Sequence, residues 1–530
     1  MSADPQIETP LANATLIDID TLQQWLDDGA ELAFVDIREE GLFGEDHPLL
    51  AINVPYSLLE TELPSRVPRL GTRIVLLAEH DRHGQHAAQL LGQLGYSVVH
   101  VLDGGLQAWQ QAGLATFQGI NVPSKAFAEC VEHSLHTPAI APDALQRLII
   151  DEADYVLLDS RTLEEYQRFH VPTAKGVPSA ELLYRFDDLV TSPDTLVVVS
   201  CAGRTRGIVG AQTLINAGVP NKVVALAGGT QGWRLAGLST VNNDSTRYSG
   251  LSAGARQQAI QRAHALAARH ALKFIDEQTL SRWQADAERT TYVFDVRSRE
   301  EFAHSHRADA RHVAGGQLVQ ALDLWVGTRN ARIVLNDEDG VRAITTAHWL
   351  QQLGWEASVL IGIAANAMPR PLPQADWSGL EHINAQTAAQ WLSEGAVALS
   401  ADRSGDFQQA HPQGAQWVNR SRLQALAAQL QGAERVLVFA EALELARGVA
   451  RELSQAGLPV YVVNAGVRYW QAAGIEVVDG PLEDGLRVDY LFWLHDRHEG
   501  NTQASAAYIA WEEDLPRQIG DHANGRFRIK

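Results

Sequence analysis

The feature that most constrains this chain is an internal repeat. The segments AFVDIREEGLFGEDHPLLA, VLLDSRTLEEYQRFHVPTA, YVFDVRSREEFAHSHRADA and VALSADRSGDFQQAHPQGA align without a gap when Asp36, Asp159, Asp295 and Ser400 are placed in register. The same alignment superposes Phe43, Tyr166, Phe302 and Phe407, and then His47, His170, His306 and His411. A recurring unit of this kind is one structural module, so the fold question reduces to the fold of a single copy.

Each copy continues with a short β-branched run, RIVLLA, TLVVVS, RIVLND or RVLVFA, which has the length and make-up of a buried strand. A helical pattern follows and stops at LGY, AGV, LGW or AGL, where Gly95, Gly218, Gly354 and Gly457 are placed as C-terminal caps. Three copies close on a glycine and a tryptophan (Gly105 with Trp109, Gly229 with Trp233, Gly466 with Trp470), whereas the third reads VLIGIAANAMP. The tryptophans are expected in the cores.

Strands alternating with helices over ~100 residues predict a small α/β domain, a mainly parallel sheet flanked by helices. A chain of 530 residues is too long for one such core. Four domains in tandem are expected, over residues 14–118, 137–240, 270–372 and 380–480. GARQQAIQRAHALAARHAL, within 241–269, predicts a connecting helix, and 119–136 and 369–379 are read as shorter linkers. Residues 481–530 have no counterpart in the repeats, open on an aromatic patch, and are expected to form helices docked on the fourth domain.

The formal charge of −21 opposes any partner held as a polyanion, which excludes nucleic acid as the main ligand. No stretch approaches the ~18 apolar residues of a membrane span, and the N-terminus lacks the pattern of a secretory signal, so a soluble cytoplasmic protein is expected. Cys130 and Cys201 are too few for a disulfide framework or a thiolate zinc site. His80, His83 and His86 in HDRHGQH, and His495 with His498 in a second HDRH, are read as scattered surface histidines rather than metal ligands. No metal site is expected.

Where a central strand gives way to a helix, unpaired N–H groups and the positive end of the helix dipole converge on one spot. In the second copy this junction reads VVVSCAGRTRG. Cys201 therefore enters a loop bearing Ala202, Gly203, Arg204, Thr205, Arg206 and Gly207. A thiol at a helix N-terminus beside arginines is expected to ionise easily and act as a nucleophile. Aligning the strand starts Arg73, Thr195, Arg332 and Arg435 places Glu79, Glu338 and Glu441 opposite Cys201, within one residue. Those three copies are expected to be inactive. Counted to the capping glycines, the second copy then has the longer loop by one residue. Asp36 with Arg38, Asp159 with Arg161, and Asp295 with Arg297 recur in copies without the cysteine, which predicts structural ion pairs.

On the DIR, DSR and DVR triplets, the glycine and tryptophan endings and CAGRTRG, the chain resembles a multidomain rhodanese, a sulfurtransferase family. The resemblance implies that Cys201 carries a persulfide, that Ala202 to Gly207 form its cradle, and that Arg204 and Arg206 contact an anionic donor. It further implies double displacement from thiosulfate to cyanide or a thiol acceptor, with no metal or organic cofactor and with a protein acceptor as one option. The alternatives are 3-mercaptopyruvate as donor, or a persulfide carrier and scaffold acting with a partner. A phosphatase or arsenate reductase of similar fold is disfavoured, because four residues separate Cys201 from Arg206, one fewer than that pattern needs. Cys130 is expected to be incidental.

Overall fold

The structure is a computed structural model and describes residues 14–242, 250–363, 368–464, 466–491, 501–520 and 526–530. Each copy of the repeat contains a five-stranded sheet of one topology, in which the fourth strand in sequence is central. In the second copy the spatial order is Ala139–Ile140, Val223–Leu226, Leu196–Ser200, Tyr155–Asp159 and Lys175–Gly176, every pairing parallel. The central strand is buried on both faces, which is why it reads as an unbroken apolar run. Helices on both sides complete the α/β unit expected from the sequence.

The cross-strand register corrects one part of the sequence alignment. Asp36 pairs with Leu77, Asp159 with Ser200, Asp295 with Asn336 and Ser400 with Phe439. The residues equivalent to Cys201 are therefore Ala78, Asp337 and Ala440, each one position before Glu79, Glu338 and Glu441. All four residues stand equally far before Gly95, Gly218, Gly354 and Gly457, so the second loop is not longer than the others. The extra residue of the second copy precedes its strand. The four glycines take positive φ (97°, 74°, 93° and 84°), as helix-terminating residues do.

The four copies group into two compact units, Met1–Ile120 with Leu372–Phe492, and Asn121–Pro371 with Trp493–Lys530. In the first unit, copies one and four are joined by Arg420, whose guanidinium donates to Glu60 at 2.6 and 3.0 Å in a buried pair. Tyr56 of copy one donates to Glu452 of copy four at 2.6 Å. His83 and His86 lie against Tyr56 rather than scattered on the surface, and burial pushes the His83 pKa down to about 3. His495 and His498 lie outside the described residues.

In the second unit, one apolar core runs through copies two and three, from Val199, Ile208 and Leu214 to Leu335, Ile344 and Trp349. Ala259, Ala263 and Leu266 of the helix Ala253–Arg269 belong to the same core. The expected connecting helix therefore also cements the two copies it links. Two other expectations fail in this unit. Residues 119–136 hold a largely buried helix, Val122–Leu135, instead of a plain linker. The C-terminal helix Thr502–Ile519 belongs to the unit of copies two and three rather than to the fourth copy, and buries Tyr508, Trp511 and Leu515 there. Lys125 of the Val122–Leu135 helix sits 5.1 and 4.9 Å from the ring centres of Tyr508 and Trp511. Trp109, Trp233 and Trp470 are buried. The aligned aromatic and histidine residues also stack in every copy, with each histidine Nδ1 on the aromatic residue's own carbonyl, as for Tyr166 and His170 at 2.9 Å.

Candidate active site

The strand Leu196–Ser200 delivers Cys201 to the turn that precedes the helix Thr205–Ala217. The residue is only 2% exposed. Its carbonyl accepts from the Thr230 N–H at 2.8 Å, and the Ala202 carbonyl accepts from the Gln231 N–H at 3.0 Å. These bonds turn two loop carbonyls outward, toward the start of the helix Gly229–Leu235.

That close approach explains the closing glycine. Gly229 has φ +55°, and a Cβ there would fall 2.4 Å from the Cys201 carbonyl oxygen and 2.5 Å from that of Gly203. Any other residue would push the loop away. Gly105 repeats the arrangement against Ala78, so the motif shapes the turn whether or not a thiol is present.

The loop arginines face carboxylates of the protein itself. Arg206, 6% exposed, donates from both terminal nitrogens to Glu165 at 2.6 and 2.7 Å. Glu165 is itself fixed by a capping box with Thr162, and Arg206 holds its carboxyl down near pH 2 against the opposing effect of burial. Arg204 donates to Glu129 at 2.8 and 2.7 Å, to Glu132, and to Glu513 at 3.1 Å. The resemblance implies that both guanidinium groups contact an anionic donor; in the structure both are engaged by carboxylates of the protein. Glu129, fully buried on the Val122–Leu135 helix, was missed because its segment read as a linker.

A second carboxylate was also missed. Glu512, on the C-terminal helix and 2% exposed, accepts from the Tyr508 hydroxyl at 2.8 Å and lies against Gly203 and Thr205. Its Oε2 atom is buried without a hydrogen-bond partner. No spacing within the repeats could have announced a residue from outside them.

These surroundings reverse one expectation. Burial raises the pKa of the Cys201 thiol above its ordinary value. Arg206 and the Gly207 N–H favour the thiolate, but Glu512 and Asp159 oppose it. The expected easy ionisation is not found in this resting arrangement, since the helix dipole and one paired arginine do not offset desolvation. Asp159 is held by Arg161 through a fork of bonds from 2.7 to 3.1 Å, and Asp36 with Arg38 and Asp295 with Arg297 repeat it. Cys130 is half-buried and distinct from this loop; burial raises its thiol pKa too. Among the described residues, no group of three or more His, Cys, Asp or Glu could hold a metal ion.

The fold and site define a repeated parallel α/β module with one buried thiol, Cys201, at a strand-to-helix turn. The comparisons specify it. The family model described as Rhodanese-like domain matches residues 18–112, 141–236 and 277–362. The crystal structure of a thiosulfate sulfurtransferase from Pseudomonas aeruginosa is 39% identical and superposes with a TM-score of 0.90 over 97% of this chain and 99% of its own. An uncharacterized protein of Synechocystis sp. is 36% identical over 104 residues, 19% of this chain, and the chain spans 56% of that relative's length. The chain belongs to the rhodanese family. Its fourth copy lies outside the family-model matches yet has the same sheet order as the other three. Among the described residues no helix is long and apolar enough to cross a membrane.

Proposed function

We propose that this chain is a sulfurtransferase that carries a sulfane sulfur on Cys201. One observation carries the reading: of four equivalent strand-end positions, only that of the second copy holds a thiol, and it lies in the turn at the start of a thirteen-residue helix. The likeness to the Pseudomonas aeruginosa thiosulfate sulfurtransferase supports thiosulfate as the donor.

In the proposed reaction, the Cys201 thiolate attacks the outer sulfur of thiosulfate. The S–S bond of the donor breaks and sulfite leaves with its electron pair. Cyanide or a thiol then attacks the outer sulfur of the resulting persulfide and returns Cys201 as thiolate. The amides between Ala202 and Gly207 and the helix dipole stabilise negative charge on sulfur. Arg204 and Arg206 act mainly by holding the turn and supplying fixed positive charge, because their hydrogen-bonding edges are occupied. A raised thiol pKa makes deprotonation of Cys201 the pH-sensitive step, so loading from thiosulfate speeds up as pH rises through the alkaline range.

Intact and peptide mass spectrometry after treatment with thiosulfate tests the proposal. A gain of one sulfur mapped to Cys201 is the expected result. Absence of that gain, or its appearance at Cys130, overturns it.

A further inference from the structure

The C-terminal helix Thr502–Ile519 packs on the Cys201 loop through two neighbouring carboxyl groups. A Cβ added at Gly203 would fall 2.9 Å from Glu512 Oε2 and 3.7 Å from Tyr508 Cε1, and Glu513 accepts from Arg204 at 3.1 Å. Glu512 is 2% exposed, yet its Oε2 atom has no hydrogen-bond partner. A buried carboxyl oxygen without a donor is costly, so the other contacts of the helix hold it down against this one. Lys125, over the Tyr508 and Trp511 rings, is among them. The arginines of the loop are already committed, Arg204 to Glu129, Glu132 and Glu513, and Arg206 to Glu165.

The third copy is covered by the opposite charge. Asp339 stands where the second copy has Gly203, and the helix Ala253–Arg269 meets it with Arg256, whose Nε donates to the Asp339 carboxylate at 2.8 Å. A second Arg256 nitrogen lies 3.4 Å from Glu338. A turn carrying carboxyl groups thus lies under a cation, whereas the turn carrying the thiol lies under a carboxyl group. The cover of the second copy suits an uncharged sulfur and opposes a charged one.

We propose that the C-terminal helix is a load-sensing cover, docked on the Cys201 loop while the sulfur is a neutral thiol and released by repulsion between Glu512 and the persulfide anion. The proposal rests on the sulfurtransferase reading of Cys201. In that reaction a thiolate and thiosulfate give a persulfide anion and sulfite, so negative charge stays on the loop after the donor has gone. No oxidant or reductant is consumed. Release returns the unpaired Glu512 oxygen to water and uncovers the Gly203 side of the loop. Glu512 is thus a positioning residue: it acts through the helix that carries it.

The test is hydrogen exchange of the full chain, read by peptide mass spectrometry before and after loading with thiosulfate and removal of the excess donor. Amides of residues 502–519 are expected to exchange about tenfold faster in the loaded wild type, the scale of one partly screened like-charge pair. Amides of the helix Ala253–Arg269 should exchange at one rate in both states. Glu512→Gln keeps the shape and removes the charge, so its helix should no longer respond to sulfur, and Glu512→Asp should keep part of the response. Equal exchange of 502–519 in loaded and unloaded wild type overturns the proposal, as does a response that persists undiminished in Glu512→Gln. Intact mass of the same samples separates the two readings. Absence of the added sulfur on Cys201 overturns the sulfurtransferase reading along with the cover, whereas sulfur on Cys201 with unchanged exchange overturns the cover alone.

Discussion

The second and third copies build the same turn around different groups. In the second, the turn holds Cys201, followed five residues on by Arg206, which is clamped by Glu165 of a capped helix. In the third, it holds Asp337, followed five residues on by Arg342, which is clamped by Glu301 of an equally capped helix. Asp337 is fully buried and shows what the turn can hold. Its carboxylate accepts from the main-chain N–H groups of Glu338 at 2.8 Å and Arg342 at 2.7 Å, and from the Arg342 guanidinium at 3.0 Å. Burial raises the Asp337 carboxyl above its ordinary range while the Arg342 guanidinium favours its charged form, so one copy keeps a carboxyl group where the other keeps a thiol, each pushed up by burial. The same turn therefore accepts a carboxyl group or a thiol, and on the proposed function only the thiol exchanges sulfur.

Five substitutions and a titration would break or sharpen this comparison. Cys201→Ser should abolish thiosulfate-dependent sulfur transfer, and residual turnover of the variant would remove the distinction between the copies. Asp337→Ala should leave Arg342 buried beside fewer counter-charges and destabilise the second unit by about 3 kcal/mol in denaturant melts. A cost as small as that of Cys201→Ala would mean that the hydrogen bonds of Asp337 to its turn and to Arg342 add no more than the thiol does in the second copy. Acid should affect both clamps alike. Arginine holds Glu165 and Glu301 near pH 2, below their ordinary 4.5, so their contribution is full above about pH 4.5 and is lost as pH falls toward 2. Stability measured against pH should therefore decline across that window. Glu512→Gln removes a negative charge that disfavours the Cys201 thiolate. Alkylation of Cys201 by iodoacetamide at neutral pH should then speed up several-fold, its pH profile moving to lower pH; an unmoved profile would sever the C-terminal helix from the site. Cys130→Ser should leave sulfur transfer close to wild type in steady-state assays.

Much of the module was legible in the sequence. The β-branched runs, the positive-φ glycines that end the helices, the buried Asp and Arg pairs and the closing glycines each depend on contacts within one copy, so local residue chemistry reveals them. The position equivalent to Cys201 in the other copies was misplaced by one residue. A continuous run of apolar residues carries no mark of where its strand begins, and only cross-strand pairing sets the register. The commitments of Arg204 and Arg206 were also missed. A guanidinium in a loop reads as a free cation until the carboxylates folded against it are known, and Glu129 lies 75 residues away in sequence.

By itself, the sequence determined a fourfold α/β repeat, a single thiol at a strand-to-helix turn, and the glycine geometry that forms that turn, because each is encoded by neighbouring residues and their periodicity. The tertiary structure alone decided that copies two and three share one core, that copies one and four join in the other unit, and that the C-terminal helix brings Glu512 to the Cys201 loop. Periodicity shows that a face is apolar, whereas the face it meets depends on long-range complementarity of shape and charge. The same holds for ionisation: residue types at the loop favour a thiolate, but burial and the carboxylates gathered around it set the direction of the pKa.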